Sequence, residues 1–254
     1  MTGSLVIVGT GPGDPDLMTP ATRRALSCAT DLVGYGPYLD RVPAGPSDQV
    51  RHATDNRAEL DRARHALVLA SAGRHVVVVS GGDPGVFAMA SAVFEAVANG
   101  EPHWLDLDIR VEPGVTAMLA AAAEVGAPLG GDFCAISLSD NLKSWATIER
   151  RLTAAAHGDF VIALYNPASK ARPDGIRRAF NLLRSLKAAE TVVVLVRNAG
   201  CDAERIVTTL AAADGLVVDM RTLVIIGSSD TRTIPRSEGL PWVYTPRSEP
   251  EARS

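Results

Sequence analysis

Aromatic residues make up only 5% of this 254-residue chain, too few for the stacking platforms that hold unpaired nucleic-acid bases. Positive charge is also short: 25 Lys and Arg against 29 Asp and Glu leave a formal net charge of −4. No global field therefore draws nucleic acid or an anionic membrane, and any anionic ligand must be met by local arginines. The three cysteines, Cys28, Cys134 and Cys201, form no CxxC pair, and the five histidines show no HxxxH or HExxH spacing. The sequence thus indicates no metal site. Each cysteine reads as a small buried hydrophobe, and with no signal-like N-terminus the chain reads as cytoplasmic. No apolar run reaches the ~20 residues that span a bilayer.

Short Val-, Ile- and Leu-rich runs are abundant. In the first half they are SLVIVG (4–9), DLVGYG (31–36), HVVVVSGG (75–82) and IRVEPG (109–114). Near-continuous apolar strands of this length belong to a sheet covered on both faces. Helix-like spacing lies between them at 19–29, 56–73, 83–100 and 115–126, with Thr19 as N-cap before Pro20. The Pro/Gly cluster APLGGD (127–132) has the composition of a linker. Beyond it five more strands begin, at 132–139, 159–166, 191–198, 204–210 and 221–227. The expected fold is α/β, with two successive α/β domains at 1–127 and 128–246 and a disordered polar tail at 247–254.

The first turn, GTGPGDPDLMT (9–19), invites a phosphate-cradle reading but resists it. Pro12 and Pro15 lack amide hydrogens where donors are wanted, Asp14 and Asp16 repel phosphate, and the helix starts only near Thr19. No lysine follows the glycines. Two more glycine turns follow strands, SGGDPGVF (80–87) and EPGVTA (112–117), so all three lie at the carboxyl edge of one sheet, where open α/β sheets bind ligands. Asp83 reads either as an N-cap before Pro84 or as a ligand contact, and Thr116 as a cap or a hydroxyl donor. Gly81 and Gly82 are not needed for capping and suggest close approach of backbone to a ligand.

Together, GTGPGDPDLMT, GGDPGVF, EPGVTA and ALYNP (163–167) closely resemble the tetrapyrrole methylase family, over roughly residues 4–245. The stretches VGYGPYLD (33–40), SLSDNLKSWATIERRL (137–152), ALYNPASKARPDGIRRA (163–179) and VRNAGCDAERIVTTL (196–210) resemble members that methylate a corrin precursor and contract its ring. Met18 replaces the leucine expected in the first loop, a volume-conserving change. The resemblance implies an S-adenosylmethionine-dependent methyltransferase of cobalamin biosynthesis. It further implies a homodimer with the cofactor held in a cleft between two α/β domains. By position it assigns cofactor binding to Pro12, Gly81, Gly82, Asp83, Val86, Phe87, Thr116, Ala117, Leu164, Tyr165, Asn198, Ala199, Thr222 and Val224.

Methyl transfer from a sulfonium asks the protein mainly for proximity and alignment, because the donor carries its own activation. Ring contraction moves protons, so a carboxylate acid or base is expected, and Asp14 is the candidate; its alternative is a loop-stabilising Asp. A polycarboxylate substrate needs local cations. Lys170 and Arg172 are the substrate-binding candidates, whereas Arg177 and Arg178 divide between that role and a solvated helix face, and Arg197 is more ambiguous. Competing readings are a sister methyltransferase acting on another precorrin, on cobalt-factor III, or on protein or RNA. More distant are a nicotinamide-dependent oxidoreductase and a noncatalytic tetrapyrrole carrier.

Overall fold

The computed structural model describes residues 3–55, 58–169, 171–213, 215–216 and 218–248. Two compact units divide the chain, Met1–Thr116 and Ala117–Ser254. The first contains β1 (Ser4–Gly9), α1 (Pro20–Cys28), β2 (Asp31–Tyr35), α2 (Gly36–Leu39), β3 (Val50–Thr54), α3 (Glu59–Ser71), β4 (His75–Ser80), α4 (Met89–Ala98) and β5 (Asp108–Glu112). Its five strands form one parallel sheet in the order β3-β2-β4-β1-β5. Strand parity explains the unbroken apolar runs: Leu5 and Ile7 of β1 join a core with α3 and α4, while Val6 and Val8 join another that includes Met18 and Leu26. With both faces covered, neither parity can be polar. Each fully buried Leu or Ile contributes about 1.5–3 kcal/mol relative to exposure.

The second unit contains α5 (Ala117–Ala123), β6 (Gly126–Ala127), β7 (Phe133–Ser137), α6 (Trp145–His157), β8 (Val161–Tyr165), α7 (Gly175–Arg184), β9 (Val192–Arg197), β10 (Glu204–Thr209), β11 (Thr222–Ile226), β12 (Arg232–Ile234) and β13 (Trp242–Tyr244). Its main sheet, β10-β9-β11-β8-β7, is mixed: β7 and β8 are parallel, whereas β11 runs antiparallel to both β8 and β9. The amphipathic helix α7 buries Ile176, Ala179, Phe180 and Leu183 against this sheet at helical spacing. A small sheet, β12-β13-β6, completes the unit.

Several sequence expectations shift. The division between units falls before α5 rather than in the Pro/Gly cluster, because α5 packs on β11 and β6 pairs with β13. Strand β3 escapes the apolar-run criterion because it lies at the sheet edge, where Val50, Arg51 and Ala53 are exposed. Helix α4 begins at Met89 rather than Asp83. Cys28 and Cys201 are exposed and only Cys134 is partly covered, so the expectation of buried cysteines fails. Burial pushes the Cys134 thiol up. Among the described residues no helix is long and apolar enough to cross a membrane.

Candidate functional site

From β1 the chain passes through α1 to β2, on one side of the β1–β4 pair; from β4 it passes through α4 to β5, on the other. The neighbouring strands β1 and β4 therefore form a topological switch point, and their carboxyl ends open the crevice where such sheets bind ligands. The glycine turns meet here. Thr10 donates from both N and Oγ1 to the Ser80 carbonyl, at 2.9 and 3.0 Å, and Gly11 and Gly82 exchange backbone hydrogen bonds of 3.1 and 2.8 Å. Thr22, fully buried, donates to the Gly9 carbonyl at 3.1 Å and fixes α1 beneath the turn.

These contacts revise the reason for the glycines. A Cβ on Gly9 would lie 2.5 Å from the Gly82 carbonyl oxygen, and one on Gly114 only 2.2 Å from the same atom. A Cβ on Gly81 would lie 2.8 Å from Cζ of Tyr38. The demand for glycine at these positions comes from the turns and Tyr38 packing on one another, so it is not by itself a sign of a ligand.

Asp83 is likewise recast. It does not cap α4; its Oδ1 accepts from the Gly85 amide at 2.8 Å and its Oδ2 from the Gly114 amide at 3.0 Å. One carboxylate thus clasps the turn after β4 to the turn after β5, with charge-assisted bonds to backbone donors. In the same turn Phe87 holds a positive φ of 53°, rare for an aromatic residue, and is about half exposed. Such a conformation persists only where its surroundings over-determine it, and it presents an apolar face beside open backbone. Val86 is half-buried beside it, Thr116 is buried ahead of α5, and Ala117 opens that helix.

Pro12 sits half-buried between Gly11 and Gly13, both at positive φ. Asp14 caps a short 3-10 turn, Pro15–Leu17, with Oδ1 accepting from the Asp16 amide at 2.8 Å. Its loop-stabilising role is therefore real, and Oδ2 has no hydrogen-bond partner among the described residues. Thr10, Gly11, Gly13, Pro15 and Gly81 line a small cavity closed by Arg41 and Pro43.

In the second unit Leu164 and Val224 face each other in register, and both side chains are fully buried in the core. Thr222 is buried and donates to Oδ1 of Asp219 at 3.1 Å. The Tyr165 hydroxyl accepts from the Met118 amide in the first turn of α5, at 3.0 Å. Asn166 and Asn198, immediately after β8 and β9, both adopt left-handed backbone with φ of 53° and 54°. Ala199 is buried.

Among the cation candidates, Lys170 lies outside the described residues. Arg172 pairs with Asp140 at 3.5 Å. Arg177 pairs with Asp174, while Arg178 stacks 4.1 Å above the Trp145 ring centroid and approaches Glu149, so both serve helix surfaces. Arg197 binds Asp219 and Glu204, and the bond to Asp219 leads in holding its guanidinium pKa up. Lys143 is pushed down by partial burial and by Arg151 and Arg172, against Asp140.

Sequence reasoning gave no role to Tyr38, Arg41, Arg51 or Arg62. The signal was present: β2 also ends in a glycine turn, Gly36-Pro37. A recess of about 340 Å³ opens there, lined by Tyr35, Gly36, Pro37, Ala53, Thr54 and Asp55. Arg62, 3% exposed, donates beside it to Thr54 Oγ1 at 2.6 Å and to the Asp55 carbonyl at 2.7 Å, and burial lowers its pKa.

Known proteins can be set against this geometry. The family described as Tetrapyrrole (Corrin/Porphyrin) Methylases matches residues 4–214. A precorrin-3B C(17)-methyltransferase from Sinorhizobium sp is 57% identical over 97% of this chain and 97% of its own. A probable cobalt-factor III C(17)-methyltransferase from Salmonella typhimurium is 43% identical over 89% of this chain and 93% of its own. The crystal structure of the methyltransferase CobJ superposes with a TM-score of 0.89 at 50% identity, covering 96% of this chain and all of the other. Turn order, sheet topology and these likenesses agree: the chain belongs to the tetrapyrrole (corrin/porphyrin) methylases.

Proposed function

We infer that this protein transfers a methyl group from S-adenosylmethionine to C-17 of precorrin-3B, with contraction of the ring to precorrin-4. The observation that carries this reading is the 57% identity to the Sinorhizobium precorrin-3B C(17)-methyltransferase over nearly the full length of both chains. The donor supplies a methyl group already activated by its sulfonium charge, so a carbon–carbon bond forms as the carbon–sulfur bond breaks and its electron pair returns to sulfur. The chain's own work is to bind, align and exclude water.

The backbone of Gly81, Gly82 and Asp83, with Pro12, Val86 and Phe87, is assigned to the donor at the switch point. Thr116 and Ala117 meet it from the third turn. Tyr165, Asn198, Ala199 and Thr222 are the second-unit assignments. Leu164 and Val224, whose side chains belong to the core, serve by backbone and packing. Asp14 can hold or release a proton at Oδ2 while Oδ1 stays bound to the Asp16 amide, which keeps the carboxylate oriented. Lys170 and Arg172 are assigned to substrate carboxylates, Arg172 by exchanging its partner Asp140. The same reading includes a homodimer and a cytoplasmic location.

A second reading, methylation of cobalt-factor III, is favoured by the 43% identity to the Salmonella protein. Incubation with precorrin-3B and S-adenosylmethionine, followed by mass spectrometry and NMR, separates them. One added methyl at C-17 and a contracted ring are expected; methylation at another carbon, or turnover only of the cobalt-containing substrate, would overturn the first reading. Calorimetry should show binding of S-adenosylhomocysteine and no heat with NAD.

A further inference from the structure

The segment after β2 carries chemistry that neither the glycine turns nor the assigned cations use. It runs from α2 through residues 40–43, and Arg51 of the edge strand β3 fixes it. Arg51 donates from Nη1 to the Leu39 carbonyl at 2.8 Å, and from Nη2 to the Val42 and Pro43 carbonyls at 3.1 and 2.8 Å. Three bonds from one guanidinium to three carbonyls within residues 39–43 hold this loop in place. At its start Tyr38 packs on Gly81 and meets Tyr35 edge-on, with ring centroids 5.5 Å apart. The loop is therefore locked to the turn after β4 at one end and to β3 at the other.

What this locked segment presents is Arg41. With Pro43 it lines the cavity whose other walls are the first and second glycine turns. Arg41 makes no ion pair and no side-chain hydrogen bond with any described residue. By contrast Arg74, Arg172, Arg177 and Arg197 each hold a carboxylate. Among the described residues neither Arg41 nor Arg51 has a carboxylate partner, and Arg51 is spent on backbone carbonyls. Fixing the backbone with one and leaving the other at a ligand cavity is favourable when an anion from outside completes the pair.

We propose that Arg41 binds a carboxylate of the reactants at the switch point, the tetrapyrrole's peripheral carboxylates being the expected partner. This rests on the methyltransferase reading above, in which both reactants carry carboxylates. It places one cationic anchor for a carboxylate on the first unit, independent of Lys170 and Arg172. Arg51 is a positioning residue that acts through Arg41, and the planar fork of Arg41 suits a bidentate contact.

The test compares steady-state methyl transfer to precorrin-3B, and S-adenosylhomocysteine binding by calorimetry, in unsubstituted protein and in Arg41→Ala, Arg41→Lys and Arg41→Glu. Loss of a charge-assisted contact should raise the KM for the tetrapyrrole about 10- to 100-fold in Arg41→Ala. The rise should be smaller in Arg41→Lys and larger in Arg41→Glu, with Tm and S-adenosylhomocysteine affinity unchanged. Weakened S-adenosylhomocysteine binding at constant KM would also support the proposal and assign the carboxylate to the donor's methionyl end. Unchanged KM and unchanged affinity in all three variants would overturn it while leaving the methyltransferase reading intact. Absence of turnover and of S-adenosylhomocysteine binding in the unsubstituted protein would overturn that reading and this inference with it.

Discussion

The two five-stranded sheets both have apolar, buried central strands but turn the chain differently at their strand ends. In the first unit β4, β1 and β5 are parallel neighbours, so three turns leave the same edge about 4.8 Å apart. At that spacing the turns touch, and Gly9 and Gly114 leave no room for a Cβ against Gly82. In the second unit the antiparallel β11 stands between β8 and β9, so their ends are about 10 Å apart. There the first residues after β8 and β9, Asn166 and Asn198, adopt left-handed backbone without being glycine. Strand direction thus decides whether a turn must be glycine for space, or needs only a residue that tolerates positive φ.

The comparison breaks most decisively at Gly114. Gly114→Ala puts a methyl 2.2 Å from the Gly82 carbonyl oxygen, and backbone cannot yield as a side chain can. A loss of about 3 kcal/mol or more is expected in chemical denaturation, together with loss of S-adenosylhomocysteine binding. A Tm within a degree of the unsubstituted protein would show that the turns are not close-packed.

Acid sharpens the contrast between the units, because each is braced by one aspartate held below its ordinary pKa. For Asp31 burial acts upward, but bonds from Arg74, His52 and Thr30 outweigh it; for Asp159 burial again acts upward and Lys187 and Ser229 outweigh it. A depressed carboxyl contributes stability that is present above the unfolded value of about 3.9 and is lost as pH falls through the lower folded value. The Asp31 side chain is 3% exposed and that of Asp159 is 43% exposed. Tm measured from pH 5 to pH 2.5 should therefore flatten more in Asp31→Asn than in Asp159→Asn. Equal slopes would place the two braces on the same footing.

The smallest effect is expected at Asn198, where glycine adopts the observed φ of 54° without cost. Asn198→Gly should change stability by less than about 1 kcal/mol while weakening S-adenosylhomocysteine binding. Unchanged affinity would reduce this residue to a turn former, the counterpart of a glycine in the first unit.

Much of this was legible in the sequence. The runs SLVIVG and HVVVVS read as strands because burial on both faces removes every polar position, and Thr19-Pro20 read as a helix start because capping is local. β3 was not legible, since an edge strand with exposed Val50 and Arg51 has no apolar signature. Asp83 was legible as important but not in its role: an Asp-Pro pair before an apolar run has the form of an N-cap, and only the fold brings the Gly114 amide to its second oxygen. The place of Arg41 beside the cavity was invisible, because an arginine with no carboxylate partner among the described residues looks like a paired one until its surroundings are known.

By itself the sequence determined the apolar strands of both main sheets, where α1 begins and, through four motifs in order, which family the chain belongs to. These follow from local forces: burial parity, capping and backbone sterics act within a few residues. Tertiary structure alone decided that the second sheet is mixed, that three glycines pack against one another, that Asp83 is a clasp and that Arg41 has no carboxylate partner among the described residues. Each of those depends on which distant segments become neighbours across 4.8 Å of sheet or a shared cavity, a distance in space that no spacing along the chain encodes.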